Sequence, residues 1–489
     1  MSLLGIDIGT TGCKVVAFNH EGKQLCSASA EYPLLFPQAG WIELDPELVW
    51  RNIARCIREV AAKTRRDPVS ALAVSSQGEA FIPVDARGSA LYNSIVTFDS
   101  RAAANVDFWR TNVGALKIFR TTGIPLSAMA TLVKIQWLME NKPAIARKTK
   151  KYLCFQDYFA MKIGLQPAID YSLAARTMAF DINKCSWSDL MLKEAGVDQN
   201  QLATPVPSGT VIGTISSSAA RTLGLAKGTL VVAGGHDQPC GAFGAGVVQS
   251  DEAMYATGTV ECIVPVFSKP HATAAMERNN LCNYPHVVAG KFVSLAFNFT
   301  GGSLLRWYRD TFGGNYDKLV DAIPGVPSGL LVLPHFTMTG TPYFETRSKG
   351  VIAGLQLSTK KCEITRAILE GVTFEMKLNV ELLERAGVRI KSFRVIGGGS
   401  KSSQWMQIKA DIMNRAVHAM EVNEAACLGA AMLAGIGAKV FRSPSDAVKS
   451  CVRLGTTYHP RKRVAELYAE KFTLYRKLYP AMRDILHHL

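Results

Sequence analysis

No two of the eleven cysteines form a Cys-x-x-Cys pair, and none stands with the nine histidines at metal-ligand spacing. That absence excludes a zinc ribbon, a zinc finger and a thioredoxin-type redox motif. An odd, scattered set of thiols also argues against a disulfide framework and predicts a reduced, cytoplasmic protein. Long apolar runs are missing. The most extended small, uncharged stretch, Ala425 to Ala438, is too short and glycine-rich to span a bilayer, so no membrane partner is expected. The N-terminus places Gly5 and Asp7 where a secretory signal needs an apolar run. The common nucleotide fingerprints are absent too. Gly397-Gly398-Gly399-Ser400-Lys401-Ser402 has the wrong spacing for a GxxxxGK[ST] loop, and no G-x-G-x-x-G follows the first strand.

What is present is a folded composition, with 48% hydrophobic and 19% charged residues. The 489 residues exceed one ordinary core and predict two domains. The formal charge is +15, but the basic residues are dispersed. The densest clusters are Arg147-Lys148-Thr149-Lys150-Lys151 and Arg461-Lys462-Arg463, and no aromatic-basic motif accompanies them. Solvated faces and steering of a small anion explain that charge better than a nucleic-acid partner does.

Leu3 to Phe18 reads as strand, Gly/Thr turn, strand, and Gln24 to Leu35 as a third strand after the turn Asn19-His20-Glu21-Gly22. Asp45-Pro46 opens a helix to about Thr64, with Asp45 as N-cap and Val49, Ile53, Ile57 and Val60 on one face. Val69 to Ser75 is again a strand. This β-β-β-α-β opening differs from the β-α-β start of a dinucleotide-binding fold. After residue 250 its character returns: Glu252 to Ile263 is strand, Gly/Thr turn, strand, with a further strand over Lys291 to Phe297. The repeat predicts two domains of related topology joined near residue 250. Later elements are a long helix over Glu363 to Glu384, a strand over Ile390 to Ile396, a small-residue helix over Ala425 to Gly435 and a terminal helix.

Four glycine turns stand out: Gly9 to Gly12, Thr257 to Thr259, Gly301-Gly302-Ser303 and Gly397 to Ser400. Such turns present consecutive N–H groups that can cradle phosphate oxygens, although hairpins use the same residues for geometry alone. A fifth stretch, Gly234-Gly235-His236-Asp237-Gln238, follows the apolar Thr229 to Ala233. It reads either as a strand-to-helix turn with Asp237 as N-cap or as an acid delivered to a strand-end site. His236 and Asp237, adjacent on an extended segment, are expected to point to opposite faces, and Cys240 reads as a small core residue.

The ordered set of motifs resembles the FGGY carbohydrate kinases of the sugar kinase, heat-shock-protein ATPase and actin superfamily. The matching pieces run from Ile6-Asp7-Ile8-Gly9-Thr10-Thr11 through Gly40 to Pro46, Phe98-Asp99-Ser100-Arg101 and Gly234 to Gln238. Gly350 to Leu355, Ala367 to Val372, Ile396 to Ser400 and Cys427 to Ala431 follow in family order. The resemblance implies an α/β fold of two actin-like (ribonuclease H-like) domains, mixed sheets flanked by helices, hinged around a cleft. Residues 1–248 would form a sugar-binding domain carrying the first phosphate loop, and 249–489 an ATP-binding domain. It implies ATP and Mg²⁺ as cofactors, a small sugar or polyol as partner, and leaves a homodimer open. By motif position, Asp237 matches the catalytic base and Asp7 the Mg²⁺-binding acid. Thr10, Thr11, Thr257, Gly258 and Thr259 match the phosphate hairpins, and Gly301 and Gly302 the turn beside the nucleotide. Gly398 and Gly399 match the adenosine-side loop, with Ser402 and Asn423 as further ATP-binding candidates; Lys14 reads as structural. Gln77, Glu79, Asp237 and Gln238 are the candidates for substrate hydroxyls. The stretch Ser75-Ser76-Gln77-Gly78-Glu79 lacks the Met-His-Gly of xylulose-type members. It fits the Gln-Arg-Glu of glycerol-type members except that Gly78 loses the arginine. Arg176 to Asp181 before Trp187-Ser188 is similar to xylulokinase-like members. A xylulose-like ketose is the first expectation, and glycerol, erythritol or an aldonate the alternatives. A nucleotide-binding interaction protein on the same fold is the competing class.

Overall fold

The structure, a computed structural model, describes the whole chain except the side chain of Asp317. Its frame is two sheets of matching design. In the first, Ser2–Ile8 pairs antiparallel with Gly12–Phe18 and parallel with Val69–Ser76, which is parallel to Leu230–His236. Gln24–Glu31 and Val211–Thr214 close the two edges. In the second, Asp251–Thr257 pairs antiparallel with Glu261–Phe267 and parallel with Ile390–Ile396, which is parallel to Ala416–Met420. The internal repeat read from turn chemistry is thus a repeat of strand order and direction. Parallel neighbours end on the same side of a sheet, so Asp7, Gln77 and Asp237 all emerge at or just beyond the carboxyl ends of the central strands.

Local signals placed most elements well. Asp45 caps Pro46–Lys63, its side chain accepting from the N–H of Glu47 and Leu48, and Val49, Ile53, Ile57 and Val60 are buried. Two strand readings are corrected. The third strand stops at Glu31, short of Leu35. The expected strand over 291–297 is broken into Phe292–Val293 and Ala296–Asn298, which pair with different parts of Glu261–Phe267.

The helix Ala425–Gly437 lies in the second half of the chain, yet it packs on Ser2–Ile8, Val69–Ser76 and the helix Asp237–Gly244. Its small residues permit that approach. A methyl built on Gly244 would come within 1.9 Å of the Ala425 carbonyl oxygen, and one on Gly429 within 2.0 Å of the Cys240 carbonyl oxygen. The helix that begins with Asp237 is therefore anchored at its far end by a segment nearly 200 residues away. No helix among the described residues is long and apolar enough to cross a membrane.

Candidate active site

Asp237 is the first residue of the helix Asp237–Gly244; the N-cap is His236, which makes no side-chain capping bond. The capping reading of Asp237 is corrected, since it stands one place beyond the cap as the first helical residue. The strand end is held instead by Ser172, whose Oγ accepts the His236 N–H at 2.9 Å and donates to Asp170 at 2.6 Å. The pleat ends here, so the expected divergence of His236 and Asp237 also fails: His236 Nε2 lies 3.1 Å from Asp237 Oδ1. That approach is off the hydrogen-bond direction, and Oδ1 is buried with no donor among the described residues. The other edge of the imidazole, Nδ1, stands 3.1 Å from the Tyr284 hydroxyl. Burial, with Arg176 nearby, holds His236 far below its usual pKa, so the ring is neutral. Burial, then Asp7 and Glu79, pushes Asp237 up to about 7, opposed by the Gln238 N–H and Arg176.

Around Asp237 is a cavity of about 180 Å³. Its polar side comes from the first half of the chain: Thr10, Gln77, Glu79, Arg176, His236, Asp237 and Gln238. Its apolar side comes largely from the second half: Val260, Cys262, Leu295, Phe297 and Phe299, joined by Phe98 and Met129. Phe98 meets Phe299 edge-to-face with centroids 5.5 Å apart, an aromatic contact between the two halves. All four substrate-binding candidates, Gln77, Glu79, Asp237 and Gln238, border this one cavity. Gln77 also holds the first turn, since Thr10 donates to its Oε1 at 3.0 Å and its Nε2 donates to the Gly9 carbonyl at 3.2 Å.

Sequence reasoning placed Arg176 in a xylulokinase-like stretch but gave it no role in the site. Its Nε donates to Glu79 Oε1 at 2.5 Å, while Glu79 sits at φ 59 with its backbone carbonyl accepting from Thr131. A Cβ on Gly78 would meet His236 Nε2 at 2.9 Å and Arg176 Cγ at 3.3 Å. Glu79 thus takes an arginine partner from the helix Tyr171–Arg176, and Gly78 leaves room for it. The available signal was a lone arginine after the apolar Leu173-Ala174-Ala175, which had to find an acid. Tyr284, the aromatic wall and Thr97, which borders the cavity and donates to the Gly78 carbonyl at 2.7 Å, left no such local signal.

Asp7 accepts from Ser75 Oγ at 2.8 Å, and burial, with Glu424 nearby, raises it to about 6. No group of three or more metal-ligating side chains occurs among the described residues. Of the second hairpin, Gly258 and Thr259 are exposed, but Thr257 is fully buried. The expectation that Thr257 faces phosphate is corrected. It packs beneath the Gly397 to Gly399 turn, where a Cβ on Gly399 would strike its Cγ2 at 2.2 Å. Gly398 faces open space. Gly301 and Gly302 donate their N–H groups to the Thr259 and Gly258 carbonyls at 3.0 and 2.8 Å, docking the helix Gly302–Phe312 on the hairpin instead of leaving those groups free. Ser402 caps Ser403–Met413. Thr11 is exposed at the first turn. Asn423 borders a different cavity, lined also by Phe18, Glu21 and Lys23 at the other end of Gly12–Phe18. Lys14 pairs with Glu424, in keeping with a structural role.

Residues 2–244 match the N-terminal domain of the FGGY family of carbohydrate kinases, and residues 254–438 match its C-terminal domain. The chain belongs to the FGGY family. It is 27% identical to the xylulose kinase of Bacillus subtilis over 490 residues, 99% of this chain and 97% of that protein. It is 30% identical to the glycerol kinase of Symbiobacterium thermophilum over 467 residues, 91% of each. Among solved structures, gluconate kinase from Lactobacillus acidophilus superposes with a TM-score of 0.92 at 24% identity, covering 98% of both chains. This FGGY protein is a carbohydrate kinase, a phosphotransferase acting on a small sugar. The two-domain actin-like fold with flanked mixed sheets is the one the motifs implied.

Proposed function

We propose that this kinase transfers the γ-phosphoryl group of ATP to a hydroxyl of a xylulose-like ketose, with Asp237 as general base. The observation that carries the reading is the buried Asp237 oxygen without a donor, in the same cavity as the hydroxyl-pairing Gln77, Glu79, Arg176 and Gln238. A base needs an open acceptor within reach of the proton it removes. Phosphoryl transfer then asks chiefly for positioning and charge neutralisation. Asp237 receives the hydroxyl proton as the oxygen attacks in line, with no phospho-enzyme. Thr10, Thr11, Gly258 and Thr259 flank the phosphates, and Gly398 the adenosine side. Asp7 would hold Mg²⁺, as a strand-end carboxylate beside the first phosphate turn suits a cation bound by one protein carboxylate plus phosphate oxygens. When bound, the ion supplies the charge neutralisation between phosphate oxygens.

The site weighs against an aldonate. Glu79 and Asp237 both border the cavity, and the Arg176 charge is already matched by Glu79. A further carboxylate would meet like charge. A panel of xylulose, glycerol, erythritol and gluconate, read by ADP release with ATP and Mg²⁺, tests the reading. The ketose is expected to give the highest kcat/KM, and Asp237→Asn to lose about 10²–10⁴ of it while still binding ATP. Full turnover by Asp237→Asn, or gluconate as best acceptor, would overturn the assignment.

A further inference from the structure

The first Gly/Thr turn, between Ser2–Ile8 and Gly12–Phe18, is held by a residue that does not border the reaction cavity. Tyr32 follows the strand Gln24–Glu31 and is 4% exposed. Its N–H donates to the Thr11 carbonyl at 3.1 Å, and its hydroxyl donates to the Gly9 carbonyl at 2.6 Å. The Gly9 carbonyl accepts a second time, from Gln77 Nε2 at 3.2 Å, and Gln77 is pinned in turn by its N–H on the Ile8 carbonyl at 2.9 Å. Gly9 closes the turn on itself, donating its N–H to the Gly12 carbonyl at 2.9 Å. The N–H groups of Thr10 and Thr11 have no partner among the described residues.

Fixing that one carbonyl fixes an amide. The Gly9–Thr10 peptide bond is trans, so its N–H points opposite to its C=O. With Tyr32 and Gln77 on the carbonyl, the Thr10 N–H faces away from both. Thr10 borders the reaction cavity and Thr11 is exposed. A carbonyl oxygen offers two lone pairs, enough for both donors. The peptide plane cannot turn over without breaking both bonds. Burial pushes the Tyr32 phenol far up, so the hydroxyl keeps its proton and remains a donor.

We propose that Tyr32 is a positioning residue for phosphoryl transfer: together with Gln77 it fixes the Gly9–Thr10 peptide so that the Thr10 and Thr11 N–H groups point at the ATP phosphates. The inference rests on the assignment of this turn to the phosphates in the sugar-kinase reading, and adds what aims it. Donors aimed before the ligand arrives need no reorientation as charge develops on the transferred group. Tyr32 acts through the Gly9 carbonyl and touches neither substrate.

Tyr32→Phe tests this in the full-length protein, since it keeps the ring and removes only the hydroxyl. Binding of the β,γ-imido analogue of ATP is followed by titration calorimetry, and binding of adenosine, which has no phosphate, by ligand-observed NMR. The analogue is expected to bind about 10-fold more weakly to the variant and adenosine to change by less than about twofold. With the best acceptor of the sugar panel, kcat should fall about 10-fold while the sugar KM stays within about twofold; that is less than the about 10²–10³ of a deleted oxyanion donor, because the amides are misaimed and not removed. Gln77→Met removes the second donor to the same carbonyl, so the double variant should lose more analogue affinity than the product of the two single losses. Parental affinity and kcat in Tyr32→Phe would overturn the inference, as would equal weakening of adenosine and analogue, or single losses that simply multiply. No binding of the analogue by the unaltered protein would overturn it together with the ATP reading. Loss of analogue affinity in Tyr32→Phe, from a parent that phosphorylates no acceptor, would support the positioning role and refute the sugar-kinase reading alone.

Discussion

At the residue scale the site is organised around one carboxylate kept short of donors. Asp237 has a neutral histidine against it and acids beyond, so its proton affinity is set by burial and by Asp7 and Glu79. A base works only when deprotonated. With the group raised to about 7, activity is expected to rise with pH through about 7 and to fall away below it. A kcat/KM profile with saturating ATP measures that limb; activity undiminished at pH 5 would contradict the ascribed role. Gly78, His236 and Arg176 form a dependent set: the imidazole occupies space that any Cβ at 78 would claim, and the arginine from 176 pairs with the neighbouring Glu79.

At the scale of elements, the helix carrying the base depends on the helix Ala425–Gly437. The contact is backbone to backbone, because glycine at 244 and 429 leaves no side chain between them. Gly244→Ala is expected to force the helices apart and cost about 1–3 kcal/mol, as overpacking does. A thermal melt would show a fall of several degrees, and the KM for sugar should rise with it as the Asp237 end of the helix shifts. An unchanged melting temperature would mean that the helices can separate freely. The second hairpin shows the same economy of space. Its buried Thr257 supports the Gly397 to Gly399 turn from below, while Gly258 and Thr259 remain on the exposed side.

Across the whole molecule, the two halves meet at the chemistry. Tyr284 reaches His236, Phe299 reaches Phe98, and Glu424 pairs with Lys14. Movement of one half against the other would therefore alter the surroundings of the base and the width of the cleft together. The formal net charge is +15, with the basic residues dispersed along the sequence. It should act on a polyanionic nucleotide over long range. The kcat/KM for ATP is expected to fall several-fold between 50 and 500 mM salt, with sugar kcat/KM far less affected. Equal salt sensitivity for both substrates would point to a conformational cause.

Much was legible locally. Strand alternation, the Asp45-Pro46 helix start, the duplicated Gly/Thr turns and the glycine-flanked acid are short-range signals that showed the repeat and singled out Asp237, while the fold class came from the resemblance of the ordered motifs. Tertiary structure alone decided how those pieces serve the site. Whether Thr257 faced solvent depended on the packing of a turn 140 residues later. Whether Asn423 joined the phosphate loops depended on which end of Gly12–Phe18 its loop reached. The arginine partner of Glu79 and the Tyr284 contact of His236 arise from residues far apart in the chain. The sequence by itself determined which groups could do chemistry; burial and close approach decided which of them are free to do it.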